Sequence, residues 1–318
     1  MSFSSDKYSS IFPVSRNGIW TEVIKNIENI TEIRIRAEKP ILIYLNHKEI
    51  SIDKKGNLIY VPERGKSFSY QELQNLLDFW CQDSRYAFQS EIKRGFLTIS
   101  GGHRIGICGE VINDEEGNVQ TIKYISGVNI RVAHEIKGAA SQILKYIYLG
   151  GQVKNTLIVS PPGAGKTTLL RDIIRQLSNG SNREQGINIG LVDERGEIAA
   201  CFKGVPQLDV GIRTDVLDNC EKITGMRMLL RAMAPDMIAV DELGNTEEIS
   251  LIQQMVGNGC GVIATMHGNN IEEIKRKKML KELWEQNIFK NIICLSRNKN
   301  LFHLELYEGE SGKICYRC

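Results

Sequence analysis

The stretch Ser160-Pro-Pro-Gly-Ala-Gly-Lys166-Thr167-Thr168 decides how this chain folds. An apolar run from Leu157 to Val159 leads into it and predicts a buried strand. The apolar spacing from Leu169 to Leu177 predicts a helix that ends near Gly180. A strand, a glycine-rich turn and a helix in this order are typical of a phosphate-binding P-loop. The stretch therefore predicts a P-loop NTPase domain.

The residues of the loop have separate predicted tasks. Gly163 and Gly165 let backbone N–H groups turn toward phosphate oxygens. Lys166 supplies positive charge to the β- and γ-phosphates, and the Thr167 hydroxyl is a candidate ligand for Mg²⁺. We expect seven consecutive residues to contact the nucleotide: Pro162, Gly163, Ala164, Gly165, Lys166, Thr167 and Thr168. Ser160 replaces the first glycine of the usual pattern, which is tolerable if its φ is negative.

A second motif places two carboxylates at the end of a predicted strand. The apolar run Met237–Val240 is followed by Asp241 and Glu242, which is a Walker B pattern downstream of the P-loop. In that pattern Asp241 is the candidate Mg²⁺ ligand and Glu242 is the candidate that orients the attacking water. The sequence thus predicts a hydrolytic site as well as a binding site.

Two further predicted strands end in polar residues. The strand Ile187–Val192 runs into Asp193-Glu194, and Glu194 is a second candidate for the catalytic base. The strand Gly261–Thr265 runs toward His267, a candidate donor to the γ-phosphate. Strands that alternate with helices indicate a mostly parallel sheet covered on both faces. Because the carboxyl ends of parallel strands share one edge, these residues should lie near the P-loop.

The first part of the chain has a different pattern. Short strand-like runs between Ile33 and Val132, among them Val119–Ile125 and Val128–Val132, are separated by turn residues. A helix over Gln71–Trp80, with Ser69 as its N-cap, interrupts them. We expect a smaller α+β domain over residues 1–135 and the NTPase domain over residues 136–318, with a linking helix between Ala139 and Gly151.

Composition limits the partners. A net charge of +2 argues against a protein that coats nucleic acid, so no direct nucleic-acid partner is expected. No run approaches the roughly 18 apolar residues of a membrane span, which favours a cytoplasmic protein. The eight cysteines are spread through apolar segments, as reduced thiols are. Cys315 and Cys318 have the spacing of half a zinc site, but the tail shows no further metal-site pattern, which favours incidental cysteines.

Four motifs occur in the order found in type II and type IV secretion ATPases. They resemble the Walker A, Asp box, Walker B and His box of that superfamily: Ser160–Thr168, Asp193-Glu194, Arg231–Glu242 and Ala264–Gly268. Within it the chain most closely resembles the stage III sporulation protein AA family of endospore-forming bacteria. The supporting segments are Glu32–Arg36, Tyr86–Phe88, Arg94–Ile99, Gly101–Arg104, Asn129–Ala133, Gly211–Asp218 and Ala234–Asp236.

The resemblance implies a RecA-like ATPase domain that uses ATP and Mg²⁺ in a homo-oligomer, a hexamer. It also implies membrane-bound partners, the components of a secretion-like sporulation channel, with the protein peripheral at the inner face of the membrane. Arg104 and Arg131 fall in matching segments, and in secretion ATPases such arginines reach the nucleotide of a neighbouring chain. The alternative is that they pair on the strand surface with carboxylates such as Glu110 and Glu135.

Other functions are compatible with part of the pattern. A regulatory GTPase would need Asn-Lys-x-Asp, but Asn298-Lys299-Asn300-Leu301 lacks the Asp. A RecA-like motor acting on nucleic acid shares the core motifs, and an ATP-binding switch or scaffold with little turnover would share the loop. Asp241-Glu242 stands where many secretion ATPases have Gly-Glu, so the division of tasks between the two carboxylates stays open.

Overall fold

The computed structural model describes residues 8–13, 18–182, 184–298 and 301–318. The chain divides into two compact units. Unit 1 holds the residues up to His134 together with Ala200–Gln207, and unit 2 holds Glu135–Ala199 together with Leu208–Cys318. Residues 200–207 thus belong to unit 1, although the sequence-based division placed them in the second domain.

Unit 1 is built on an antiparallel sheet of seven strands in the order β4-β3-β2-β1-β7-β6-β5. The strands are β1 (Ile30–Arg36), β2 (Leu42–Leu45), β3 (Lys48–Ile52), β4 (Leu58–Ile59), β5 (Phe96–Ile99), β6 (His103–Asn113) and β7 (Val119–Arg131). Its helices are α1 (Thr21–Lys25), α2 (Tyr70–Trp80) and α3 (Gln89–Lys93). Sheet and helices enclose one apolar core, as the predicted α+β architecture requires.

Helix α2 begins where the sequence places its cap. The Ser69 hydroxyl accepts a hydrogen bond from the Glu72 N–H at 3.2 Å, and the Glu72 carboxylate accepts one from the Ser69 N–H at 2.8 Å. This capping box satisfies two backbone groups that a helix start leaves unpaired. The apolar residues Leu73, Leu76, Leu77 and Trp80 of this helix are buried, so the helix and its cap are confirmed.

Strand β7 corrects one prediction. The sequence favoured two separate strands, over Val119–Ile125 and Val128–Val132. The structure has a single strand through both. Gly127 pairs with Arg36 of β1 on one side and with Cys108 of β6 on the other. Two flanking ladders therefore hold the backbone extended across a dipeptide that would favour a turn in isolation.

Unit 2 is built on a sheet of eight strands in the order β12-β11-β13-β14-β10-β15-β16-β17. These strands are β10 (Thr156–Ser160), β11 (Ile189–Asp193), β12 (Thr214–Asp218), β13 (Met237–Val240), β14 (Gly261–His267), β15 (Asn291–Asn298), β16 (Leu301–Glu308) and β17 (Ile314–Arg317). The first six in sheet order pair in parallel, and β16 and β17 are antiparallel. The mostly parallel sheet is confirmed.

In unit 2 one helix precedes β10, and helices also follow β10, β12, β13 and β14. They are α4 (Leu144–Ile147), α5 (Lys166–Asn179), α6 (Lys222–Ala232), α7 (Thr246–Gly257), α8 (Ile271–Lys275) and α9 (Lys281–Glu285). All residues of β10, β11 and β13 are buried, as expected for strands covered on both faces. Helix α5 ends at Gly180, as the sequence predicts, where φ is 71°.

The segment before β10 also differs from the sequence-based prediction. The sequence favoured a helix between Ala139 and Gly151, but only α4 is helical, and a hairpin of β8 (Tyr148–Leu149) and β9 (Gln152–Val153) follows. The turn residues Gly150 and Gly151 have φ of 60° and 78°. Two adjacent glycines with positive φ favour a tight hairpin over a helix end.

The buried carboxylate of Asp172 fastens this segment to α5. It accepts hydrogen bonds from the N–H groups of Gly138 at 3.1 Å and Ala140 at 2.8 Å. Arg175 and Gln176 donate to the same carboxylate. The entry to unit 2 is thus fixed to the helix that starts at the predicted P-loop.

Among the described residues, no helix combines the length and the apolar character needed to cross a membrane.

Candidate functional site

Residues 160–168, here the glycine loop, join β10 to α5. Gly163 and Gly165 have φ of 75° and 89°, a region that other residues rarely adopt. Among the described residues, and leaving out its two chain neighbours, no atom lies within 4 Å of the position that a Cβ on Gly163 would occupy. Gly165 precedes α5 directly and has no side chain to cap it, so the first N–H groups of the helix are available to an anion.

The departure at Ser160 does not disturb the loop. Ser160 is the last residue of β10, is fully buried and lies outside the set of positive-φ residues. Its hydroxyl donates to the Pro161 carbonyl at 3.0 Å. A serine therefore takes the place of the usual first glycine without backbone strain, as the sequence argument requires.

The carboxyl ends of the parallel strands bring the predicted polar residues to one edge. Ser160 of β10 pairs in register with His267 of β14, and Val240 of β13 pairs with Ala264. A cavity of about 270 Å³ opens at this edge. Its lining consists of Asp193, Glu194, Arg195, Lys222, Asp241, Glu242, Leu243, Gly244 and His267.

Lys166 lies at the centre of this edge. Its side chain is only 7% exposed, and its Nζ lies 3.6 Å from Glu242 Oε1. The same Nζ lies 3.4 Å from each ring nitrogen of His267. The structure thus brings together three residues that sequence motifs placed on three separate elements.

Glu242 gathers positive charge around its carboxylate. Arg195 Nη1 lies 2.9 Å from Oε2, and His267 Nε2 lies 2.8 Å from Oε1. Burial on its own would raise the pKa of this carboxyl, but the charges of Lys166, Arg195 and His267 outweigh burial and lower it. Glu242 is therefore an ionised acceptor at neutral pH, which suits a group that orients water.

The backbone of Glu242 is held in an unusual conformation. Its φ is 52°, which a residue with a side chain adopts only at a cost. The Glu242 N–H donates to the Thr265 hydroxyl at 2.8 Å, and Lys222 Nζ donates to the Glu242 carbonyl at 2.5 Å. Hydrogen bonds on both sides therefore stabilise the strained residue.

Asp241 and Thr167 are the two predicted metal ligands. Asp241 is half-buried, and the Thr265 hydroxyl donates to its carboxylate. Thr167 lies in the first turn of α5 and is also half-buried. Both offer oxygen atoms, which are the donors that Mg²⁺ prefers. Within the described part of the chain, no group of three or more His, Cys, Asp or Glu residues could hold a metal by itself.

The Asp193-Glu194 pair has two different environments. The Asp193 carboxylate is buried and accepts hydrogen bonds from the N–H groups of Glu197, Ile198 and Ala199 at 2.8–3.0 Å. Burial raises the pKa of Asp193, although these donors act in the opposite direction. Glu194 is exposed, and its Oε2 lies 3.7 Å from Lys222 Nζ. Asp193 thus holds the backbone of Glu197–Ala199 in place, while Glu194 faces the cavity.

Arg104 and Arg131 belong to unit 1 and are directly opposite each other on β6 and β7. The Arg104 guanidinium lies over the Phe96 ring, 3.6 Å from its centroid. Glu110, a possible surface partner of these arginines, is opposite Lys123 of β7. Glu135 accepts a hydrogen bond from the Asp209 N–H and lies 3.6 Å from Lys137.

A family model described as "Sporulation stage III, protein AA" matches residues 6–313. The chain belongs to this family. Stage III sporulation protein AA of Bacillus subtilis (strain 168) is 37% identical over 288 residues, which cover 91% of this chain and 89% of that protein. The family resemblance predicted from the sequence is confirmed.

Two solved structures share the fold of this stage III sporulation protein AA family member. The Legionella pneumophila ATPase DotB is 16% identical with a TM-score of 0.58, and the likeness covers 94% of this chain and 83% of DotB. The pilus retraction motor PilT, solved with bound ADP, is 16% identical with a TM-score of 0.60 over 92% of this chain and 83% of PilT. At this identity the likeness shows the fold alone. It supports the predicted RecA-like P-loop domain preceded by a smaller domain.

Three residues of the site in this family member were not predicted from the sequence as part of it. Thr265 and Lys222 hold Glu242 from two sides. The buried Arg171 of α5 donates to the carbonyls of Glu197 and Ile198 at 2.6 and 2.5 Å. Lys222 and Arg171 lie outside the sequence motifs, whereas Thr265 lies within the Ala264–Gly268 motif, where only His267 was a candidate site residue.

Proposed function

We propose that this family member hydrolyses ATP and that the turnover powers or assembles a secretion-like channel complex during endospore formation. The observation that carries the proposal is the meeting of Lys166, Glu242 and His267 beside an open glycine loop. The family supplies the sporulation setting, and the fold is shared with DotB, an ATPase, and PilT, a motor solved with ADP.

The glycine loop fits a nucleotide triphosphate. The space beside Gly163 and the uncapped start of α5 form a cradle of N–H groups for phosphate oxygens. Lys166 Nζ is buried next to one carboxylate, so an incoming phosphate can replace that carboxylate as its partner. Pro162, Ala164 and Thr168 complete the contact set expected from the sequence.

Thr167 and Asp241 fit Mg²⁺, because a hydroxyl and a carboxylate with phosphate oxygens and water make an ordinary magnesium set. When bound, the metal neutralises charge on the phosphate oxygens. Thr265 holds the Asp241 carboxylate in place by donating a hydrogen bond to it. The protein thus contributes an oriented ligand rather than a flexible one.

Glu242 is the proposed base that orients the attacking water, and His267 is the proposed donor to the γ-phosphate. Glu194 is the reserve base, because it also faces the cavity. Replacing Glu194 by glutamine should leave most of the turnover if Glu242 is the base. A loss equal to that of Glu242→Gln would assign the task to both carboxylates or to Glu194.

The test of the proposal is Lys166→Ala. The purified variant should lose ATP turnover by about 100-fold or more, because Lys166 stabilises charge on the transferring phosphate. The matched control is Lys281→Ala, since Lys281 is 75% exposed and pairs with Glu285 on the surface. Turnover near the wild-type rate in folded Lys166→Ala protein would refute the assignment of the loop.

We propose that the active form is a hexamer in which Arg104 and Arg131 reach the nucleotide of a neighbouring chain, as the family resemblance implies. Chains carrying Arg131→Ala and chains carrying Lys166→Ala should each be inactive, yet mixed oligomers should regain part of the turnover. ATPase rate per chain should also rise with protein concentration. If verified mixed oligomers regain no turnover, the arginines do not act in trans. If Arg131→Ala is fully active, Arg131 has no part in catalysis.

The proposed partners are membrane-bound components of the channel, with the protein held at the inner face of the membrane through them. No direct nucleic-acid partner is proposed. Turnover that is unchanged by single- or double-stranded DNA, together with co-purification with membrane proteins from sporulating cells, is the expected result. Stimulation by DNA would favour the nucleic-acid motor instead.

A further inference from the structure

The hairpin of β15 and β16 extends past the end of the strand that leads into the glycine loop. Strand β15 pairs in parallel with β10, and the last pair in register is Val159 with Cys294. β15 continues to Asn298, so Arg297 lies beyond that pair, level with the glycine loop. Its partner across the hairpin is Phe302 of β16.

Phe302 contacts the loop from this side. Two carbons of its ring lie 3.5 and 3.9 Å from the position that a Cβ on Gly165 would occupy. Along its strand, Leu304 and Leu306 share its face and are buried, whereas Phe302 is 57% exposed. An apolar row therefore emerges from the core at the glycine loop and ends in an aromatic ring open to solvent.

Arg297 adds a second flat group. Its guanidinium carbon lies 5.0 Å from the centroid of the Phe302 ring, within the range of a cation–π contact. An aromatic ring and a guanidinium plane are both groups on which nucleobases stack. Together they form a surface, here the hairpin platform, made of Arg297 and Phe302.

The order of the strands places the platform on the side of β10 opposite Glu242 and His267. Glu242 follows β13 and His267 ends β14, both on one side of β10, whereas β15 and β16 lie on the other side. A nucleoside triphosphate is an extended molecule with its γ-phosphate at one end and its base at the other. If the γ-phosphate lies toward Glu242 and His267, the base lies toward the hairpin.

We infer that the hairpin platform, Phe302 with Arg297, stacks the purine ring of the nucleotide whose phosphates lie in the glycine loop. This rests on the proposed function, because it needs a nucleotide in that loop. Stacking uses the π-face that every purine has, so the platform holds the base without reading its exocyclic groups. The triphosphate and the base are thereby bound by separate parts of unit 2.

The test compares ATP with inorganic tripolyphosphate, which has the phosphates but no base. Phe302→Ala should weaken ATP binding on the order of tenfold, the loss expected for one stacked base. Its affinity for tripolyphosphate should match the wild type. Phe302→Tyr should restore ATP affinity because it restores the ring. The matched control is Ile314→Ala, which removes an exposed apolar side chain from β17 of the same sheet.

The outcomes separate the two proposals. Equal weakening of ATP and tripolyphosphate by Phe302→Ala would show that Phe302 only supports Gly165, and unchanged ATP affinity would show that the ring has no role. Either result overturns the stacking platform and leaves the ATPase proposal standing. A wild-type protein that binds neither compound would overturn both. Circular dichroism and thermal unfolding of each variant exclude misfolding as the cause.

Discussion

Replacing Glu242 by glutamine should tighten ATP binding while it stops turnover. In the free protein the Glu242 carboxylate forms an ion pair with Lys166, the cation that would otherwise pair with the phosphates. ATP must displace this carboxylate in order to bind. Glutamine keeps the shape of the side chain and removes its charge, so the displacement no longer opposes binding.

The size of the effect follows from the geometry. At the observed 3.6 Å, two unit charges in an effective dielectric of about 20 attract by roughly 4–5 kcal/mol. The Glu242 side chain is 25% exposed, and solvent screening reduces the net value to about 1–2 kcal/mol. The Kd for ATP should therefore fall by about 5- to 30-fold. Turnover should fall by about 100-fold or more, since a positioned base contributes at least that much.

Equilibrium binding of a fluorescent ATP analogue and phosphate release measure the two effects separately. The matched control is Glu247→Gln, an exposed carboxylate in the first turn of α7. It should leave both quantities unchanged. Folded Glu242→Gln protein that binds ATP more weakly than the wild type would refute the reasoning and would instead place Glu242 on the metal.

Asp172→Ala should lower the free energy of unfolding by about 3–5 kcal/mol in urea titrations, because it leaves buried donors without their acceptor; exposed Glu285→Ala should change it little. Burial alone would raise the pKa of Asp172, but hydrogen bonds from Ala140, Arg175 and other donors outweigh it and lower the pKa. The stability that this adds is present above about pH 4 and is lost as the pH falls through the folded-state pKa, so the two unfolding curves should converge in acid. Burial raises the pKa of Cys81 and Cys260 to about 11 and that of Cys294 to about 12. Iodoacetamide at pH 8 should therefore label the exposed thiols first, as peptide mass spectrometry would show: Cys108, Cys315 and Cys318.

Local signals made the centre of unit 2 predictable from the sequence. The run Leu157–Val159 before Ser160 is apolar, and Asp241-Glu242 ends another apolar run. Gly163 and Gly165, two residues apart and directly before Lys166, are typical of a phosphate-binding loop. Each of these signals lies within a few residues. The parallel order then follows from alternation of strands with helices, so the meeting of Lys166 with Glu242 could be expected.

Features that depend on distant partners could not be predicted. Strand β12 is an edge strand with two aspartates and only half-buried residues, so it shows no apolar run. Strand β7 is continuous only because β1 and β6 flank it. The hairpin platform needs the register of β15 against β10, which no short window of sequence contains.

One amino group, Lys222 Nζ, contacts three separate parts of unit 2. Lys222 Nζ touches the Glu242 carbonyl at 2.5 Å, Glu248 of α7 at 3.1 Å and Glu194 at 3.7 Å. A shift of the backbone at Glu242 therefore changes the balance of attractions on Lys222, which stands at the first position of α6. Two helices on the outside of the sheet thus share a common anchor with the carboxylate inside the cavity. Lys222 therefore links the start of α6 and the side chain of Glu248 on α7 to the backbone of Glu242 through a single ammonium group.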